Sequence, residues 1–162
     1  MSNEATAELA SSINEVFLDR LRELLEGEPQ GQPTWVTTGG PEGGINGSIA
    51  GLSAEQVSRE IGGTTIAAHV EHERWALRLA NDYFAGVAPT SDWSASWLVR
   101  SVDEPAWDAL RQALRSEGET LLRNVETLQD WSKAEGFNGA FACYGHLAYH
   151  LGAIRQLRKL VV

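Results

Sequence analysis

The chain has 162 residues, of which 43% are hydrophobic and 22% are charged, and its formal net charge at pH 7 is −9. This length suits one domain that buries its own core, and the composition excludes disordered, collagen-like and coiled-coil chains. The excess of acidic side chains repels phosphate backbones and anionic lipids, so neither nucleic acid nor a membrane surface is an expected partner.

The N-terminal sequence MSNEATAELA is polar and lacks the basic and apolar segments of a secretion signal. The lone cysteine, Cys143, cannot form an internal disulfide. The sequence contains no run of about 18 apolar residues, so it predicts no membrane-spanning segment. We therefore expect a cytoplasmic protein.

The first predicted element is an amphipathic helix over residues 3–26, in which apolar residues recur with a period of about 3.6. The following segment, 27–52, holds eight of the sixteen glycines and three of the five prolines. It is expected to form a long crossover loop. The loop either packs on the helices through Trp35, Val36 and Ile45 or serves as a lid.

The second long helix is predicted to follow a short one. Ser53 and Gln56 have the spacing of a capping box, which begins the short helix. Thr64 or Thr65 then caps a longer helix that ends near Phe84. His69 and Glu73, two side chains that can carry charge, lie on its inward stripe, where apolar residues are expected.

The second half of the chain predicts a loop over 86–102 and two more helices. Trp93 and Trp97 lie in this loop and are candidates for the mouth of a pocket. Asp103 has the position of an N-cap, with Pro105 in the first turn. The apolar stripe of the last helix comprises Phe141, Leu147, Leu151, Ile154, Leu157 and Leu160.

Four amphipathic helices without a convincing strand predict an all-α fold. The expected architecture is an up-down-down-up four-helix bundle with a long crossover loop between helices 1 and 2, and a single domain over residues 1–162. In such bundles, metal sites are built from side chains on facing helices.

All four histidines fall in two short helical windows, at positions 69, 72, 146 and 150. His146 and His150 are four residues apart, which places their Cβ atoms about 6 Å apart on one helix face. His69 lies on the inward stripe of another helix. Buried imidazoles without a metal would need several polar partners in this apolar core, so we predict a divalent metal site. The alternative is a set of partly buried histidines satisfied by hydrogen bonds.

The sequence leaves more than one role possible for three neighbouring side chains. His72 follows His69 by three and is an alternative ligand, although we expect it at the rim of the site or as an outer partner of a ligand. Glu73 follows His69 by four and faces the same cavity, as a fourth ligand, an acceptor for an imidazole N–H, or a catalytic general base; the alternative is a salt bridge to an arginine across the bundle. Cys143 is interpreted as a small core residue rather than a thiolate ligand.

Two segments, IAAHVEHERW at 66–75 and GHLAYHLGAI at 145–154, carry a resemblance to a known family. Together with the order of elements, they resemble the DinB-like superfamily, which includes YfiT-type and mycothiol-dependent maleylpyruvate isomerase-type proteins. The resemblance covers essentially the whole chain. It implies that His69, His146 and His150 bind a divalent metal such as nickel or zinc, and it implies a homodimer. Imidazole ligands also suit iron.

The resemblance further implies transfer or isomerisation of a small-molecule substrate with a low-molecular-weight thiol. Three imidazoles with an open position are typical of catalytic metal sites, where a bound ion lowers the pKa of a thiol or water. Glu73 would then transfer a proton. The alternative is a non-catalytic metal-binding protein of stress response or sensing, or an interaction protein.

Overall fold

The computed structural model describes residues 3–89, 91–128 and 134–162, and every regular element in these ranges is helical. Positions 1, 2, 90 and 129–133 of the predicted domain lie outside the described residues. None of the described helices has the length and hydropathy needed to cross a membrane. The six α-helices are α1 (Asn3–Glu26), α2 (Ile45–Ile49), α3 (Ala54–Ser58), α4 (Ile66–Phe84), α5 (Glu104–Glu126) and α6 (Ala134–Val161).

The predicted helix starts are confirmed where capping side chains define them. Ser53 Oγ accepts the backbone N–H of Gln56 while the Gln56 side chain accepts the N–H of Ser53, which completes the capping box of α3. Thr65 and Asp103 each accept a backbone N–H from the first turn of α4 and α5, respectively. These bonds satisfy amides that a helix leaves unpaired at its N-terminus, so each cap fixes where its helix begins.

The four long helices pack through their apolar faces. α4 contacts both α5 and α6, and α1 contacts the same two helices. Fully buried side chains from all four of these helices and from α2 form one core: Leu21, Leu24, Leu25, Ile45, Ile49, Ile66, Leu77, Trp107, Leu114, Leu121, Leu147 and Ile154. This burial supplies the main stabilisation of the fold.

Some predicted inward positions are wrong. Phe141 and Leu160 on α6 are exposed, whereas Leu147, Leu151 and Ile154 of the same predicted stripe are buried. A periodic pattern defines a stripe, but the neighbouring helix decides which edge of the stripe is covered.

The crossover segment packs through one of its three predicted anchors. Ile45 is completely buried, whereas Trp35 is 78% exposed and Val36 is also exposed. Three backbone N–H groups of this stretch, together with the Thr37 hydroxyl, hold it to α1. Glu23 Oε1 accepts the N–H groups of Trp35, Val36 and Thr37 at 2.9, 2.7 and 2.8 Å. The prediction that Trp35 and Val36 pack inward is therefore wrong.

Candidate metal centre

Helices α4 and α6 bring the four histidines together inside the protein. His69 and His72 lie one turn apart on α4, and His146 and His150 lie one turn apart on α6. Three of the four side chains are buried, while that of His146 is 28% exposed. The sequence prediction that distant parts of the chain bring their imidazoles to one place therefore agrees with the structure.

The shortest contacts in the cluster join imidazole nitrogens across the two helices. His72 Nε2 lies 3.1 Å from His146 Nε2, and His69 Nδ1 lies 2.9 Å from His150 Nδ1. One nitrogen from each of His72, His146 and His150 lies within 4.8 Å of the other two. These three side chains could hold a metal ion.

The composition of this group differs from the predicted set. The predicted ligand set includes His69 and leaves His72 at the rim, but His72 is buried and belongs to the close group. His69 lies in the same cluster through its contact with His150. Positions 69 and 72 are three apart and share one face of α4, so the helical period alone cannot separate them.

A loop residue determines which nitrogen of His72 is free. Ser96 Oγ lies 2.6 Å from His72 Nδ1 and donates its own proton to the carbonyl of Trp93 at 2.7 Å. The hydroxyl therefore accepts a proton from Nδ1, which leaves Nε2 of the neutral ring as an acceptor. Trp97 stacks on His72 with ring centroids 4.1 Å apart. Together these contacts fix the orientation of the imidazole.

Glu73 contacts Nδ1 of His146, as Ser96 contacts Nδ1 of His72. Its side chain is 1% exposed, and its Oε2 lies 2.9 Å from His146 Nδ1. When Glu73 is ionised, Oε2 accepts the Nδ1 proton and His146 Nε2 becomes an acceptor. Of the roles left open by the sequence, this contact matches the acceptor for an imidazole N–H, and the only ion pair of Glu73 among the described residues is with His146.

These two hydrogen-bonding arrangements make the cluster suitable for a cation. With Glu73 ionised, both facing nitrogens are acceptors, and acceptors 3.1 Å apart repel unless a proton or a metal cation lies between them. Two imidazoles on a tetrahedral zinc, with bonds of about 2.0–2.1 Å, place their nitrogens about 3.3 Å apart. Glu73 Oε1 is also buried without a hydrogen-bond partner, and a nearby cation would offset that cost. The donor set therefore fits a divalent metal.

Burial keeps three of the imidazoles neutral. It lowers the pKa of His72 to about 4 and that of His150 to about 3, and the neighbouring imidazoles add to both effects. Burial also lowers the pKa of His69 and raises that of Glu73, whose hydrogen bond to His146 opposes the rise. Because only neutral imidazole binds a metal, His69, His72 and His150 are in a ligating state near neutral pH.

The metal-free protein should lose stability in mild acid. Below the pH of about 6.5 at which free histidine titrates, His72 and His150 bind protons in the unfolded chain but stay neutral in the folded protein. The free energy of unfolding therefore decreases as the pH is lowered. We expect urea denaturation of metal-stripped protein to give a value roughly 2–4 kcal/mol lower at pH 5 than at pH 7.5. The variant His72→Gln should show a shallower dependence, and equal slopes would contradict this account.

Cys143 and two of the loop tryptophans lie near the site. Burial raises the pKa of the Cys143 thiol to about 11, and the charge of Glu73 adds to the rise, while the close group of possible ligands among the described residues does not include this cysteine. Trp93 and Trp97 contact the histidine rings, and Trp93 also lines the adjoining cavity, whereas Trp35 is exposed on the crossover segment.

Ser96 is a site residue that no pattern in the sequence marks. The aromatic residues around it indicated that the loop covers a pocket, but a serine between them has no recognisable spacing to a histidine. We expect Ser96→Ala to weaken metal binding by about 10–100-fold, the usual effect of removing an outer partner of a ligand. Competition with a chelating dye measures this affinity. Ser101→Ala, an exposed serine near the end of the same loop, is the control, and equal affinities in both variants would refute the role of Ser96.

Comparisons with known proteins leave this site without a named relative. No family model, no curated protein and no solved structure matches the chain. The resemblance to the DinB-like superfamily therefore rests on the two histidine segments and on the order of the elements, and membership of that superfamily is a proposal.

Proposed function

We propose that this protein binds one divalent metal ion through His72, His146 and His150, and that it is a metal-dependent transferase or isomerase using a low-molecular-weight thiol. The observation that carries the proposal is the close approach of His72 Nε2 and His146 Nε2, 3.1 Å apart, while Ser96 and Glu73 contact the other nitrogen of each ring. Nickel and zinc are the ions we expect first, and iron suits the same ligands.

Within this proposal the chain's own residues have separate tasks. The three imidazoles hold the ion, which when bound would lower the pKa of a thiol. Glu73 orients His146 through Nδ1 and can accept or return a proton there. Trp93 and Trp97 contact the histidine rings and limit the access of water. The small-molecule substrate would approach from the side of His146, the most exposed histidine.

The proposal also states that the protein belongs to the DinB-like family, that it is cytoplasmic, and that α1, α4, α5 and α6 form an up-down-down-up four-helix bundle. The contacts of α4 and α1 with both α5 and α6 support the bundle. The two histidine segments support the family, and the polar N-terminal sequence supports the location.

We also propose a homodimer through the outer face of α6. From Asn138 to Ala153 the sequence has no Asp, Glu, Lys or Arg, and its outward residues Phe141 and Tyr149 are largely exposed. Sedimentation velocity of the full chain should give twice the mass of one chain, and Phe141→Glu should shift it to monomer. A monomer at all concentrations would refute this part of the proposal.

The decisive experiment is elemental analysis of protein purified without an affinity tag, followed by a panel of thiols on the metal-loaded form. We expect close to one equivalent of nickel, zinc or iron and a thiol-transfer rate that disappears on chelation. The control variant is Glu71→Gln, on the same helix as His72. Because the Glu71 carboxylate pairs with Arg74, this variant should keep both the metal and the thiol-transfer rate. Bound metal with no thiol chemistry would favour the alternative, a non-catalytic protein in which the ion fixes α4 against α6. Protein without metal would refute both.

A further inference from the structure

The cavity beside the histidine cluster has the size and lining of a small-molecule site. It has a volume of about 720 Å³, within the range of pockets that enclose drug-sized ligands. α4 and α6 form its two long walls, and its lining includes Glu73 and His146 at the end nearest the cluster. The cavity is therefore continuous with the candidate metal centre.

The walls of this cavity are almost entirely apolar. Away from Glu73 and His146, the described lining consists of alanine, leucine, aromatic and glycine residues together with Cys143 and Asn138. The lining contains no lysine or arginine among the described residues. Its one carboxylate, Glu73, is engaged with His146 Nδ1. An anionic ligand body would find no countercharge along these walls, and the net charge of −9 would repel it further.

Exposed aromatic residues lie at both ends of the cavity. Tyr83 on α4 and Trp93 in the following loop both line the cavity and are both exposed. Trp93 contacts the rings of His72 and His146, whereas Tyr83 lies ten residues, about 15 Å, from Glu73 along α4. A flat, apolar molecule lying along the cavity could reach from Tyr83 to the histidines, and these aromatic side chains would stack on it.

We infer that this cavity binds an uncharged molecule with an apolar, aromatic or hydrocarbon body, which extends from Tyr83 to the end at Trp93 and His146. The inference depends on the proposed function only for the role of the ligand, since a group at the His146 end would lie beside the metal. The apolar body itself is recognised by the walls, with or without a metal. This names the substrate class of the proposed reaction.

A matched pair of fluorescent probes tests the inference. N-phenyl-1-naphthylamine is neutral, and its 8-sulfonate has the same body with one negative charge. We expect the neutral probe to bind full-length protein at least about tenfold more tightly than the sulfonate, in metal-loaded and metal-stripped samples alike. Equal affinities, or no binding of the neutral probe, would overturn the inference.

Cavity-filling variants locate the bound probe. Ala76 and Ala142 line opposite walls, so Ala76→Trp and Ala142→Trp should each weaken binding by about tenfold or more, the effect of losing roughly two buried methylene contacts. Ala142 is exposed, so its variant should fold even if Ala76→Trp does not. Ala109→Trp, an exposed alanine on α5 outside the cavity, is the control. Unchanged affinity in both cavity variants would place the probe elsewhere and refute the inference.

The lone cysteine gives an independent readout. Cys143 lines the cavity, so the bound neutral probe should slow its alkylation by N-ethylmaleimide several-fold. If raising the protein concentration displaces the probe, the occupant is a second copy of the chain and the inference falls. If the probe binds as expected but elemental analysis finds no metal, the cavity inference stands and the proposed function fails, so the two failures are distinct.

Discussion

Replacing His72 with alanine should abolish metal binding, whereas replacing His69 should only weaken it. His72 contributes a nitrogen to the group that lies within 4.8 Å, while His69 contacts that group through His150. Loss of an outer partner usually costs about 10–100-fold in affinity, so loss of a ligand should cost more than about 100-fold. Isothermal titration of chelator-stripped protein with zinc measures both effects.

This comparison separates the ligand set predicted from sequence from the group found in the structure. Arg78→Ala, on the outer side of α4, is the control because Arg78 only approaches Asp82 at 4.0 Å. Circular dichroism of each metal-free variant should show whether the helices are retained. If His69→Ala lost as much affinity as His72→Ala, or more, the predicted set of His69, His146 and His150 would be the better description.

Replacing Glu23 with glutamine should destabilise the protein by about 3 kcal/mol at neutral pH. Burial alone would raise the pKa of this carboxyl group, but backbone N–H donors from Thr37, Val36 and Trp35 and the Arg20 side chain lower it to about 2. A fall from 4.5 to about 2 corresponds to about 3 kcal/mol at roughly 1.4 kcal/mol per pH unit. Glutamine keeps the shape but removes the charge and turns an N–H₂ group towards donors.

The pH dependence gives the sign of this contribution. Glu23 stabilises the fold fully above the unfolded pKa of 4.5, and the stabilisation is lost as pH falls towards the folded pKa of about 2. Urea denaturation of Glu23→Gln should therefore show a weaker dependence on pH over this window than the unmodified protein. Glu15→Gln, an exposed glutamate on the same helix, is the control. If both variants matched the unmodified protein, the crossover segment would not depend on Glu23.

The same variant should loosen the crossover segment. Three consecutive backbone amides and the Thr37 hydroxyl converge on one oxygen of Glu23, so this contact fixes the exposed stretch around Trp35. Limited proteolysis should cut Glu23→Gln faster than Glu15→Gln between residues 27 and 44. The buried helix α2 should remain protected, because Ile45 and Ile49 hold it in the core.

The sequence by itself predicted the helices and much of the candidate site. A period of 3.6 residues and the caps at Ser53 and Asp103 were enough to locate helices, because both signals are local. The histidines were confined to two helical windows, so an inward face on each helix was enough to bring them together. Glu73 followed from the same period. These features depend only on neighbours within about one turn of a helix.

Tertiary structure alone decided how these residues meet. The preference for His72 in the close group depends on how α4 is rotated against α6 and on Ser96, which reaches His72 from a loop. The contact between Glu23 and the crossover segment could not be predicted from the sequence, because its partners are backbone N–H groups. Every residue except proline carries such a group, so no sequence pattern marks it. A local code therefore specified the helices and their polar faces, while contacts between distant segments selected the nitrogens that face each other.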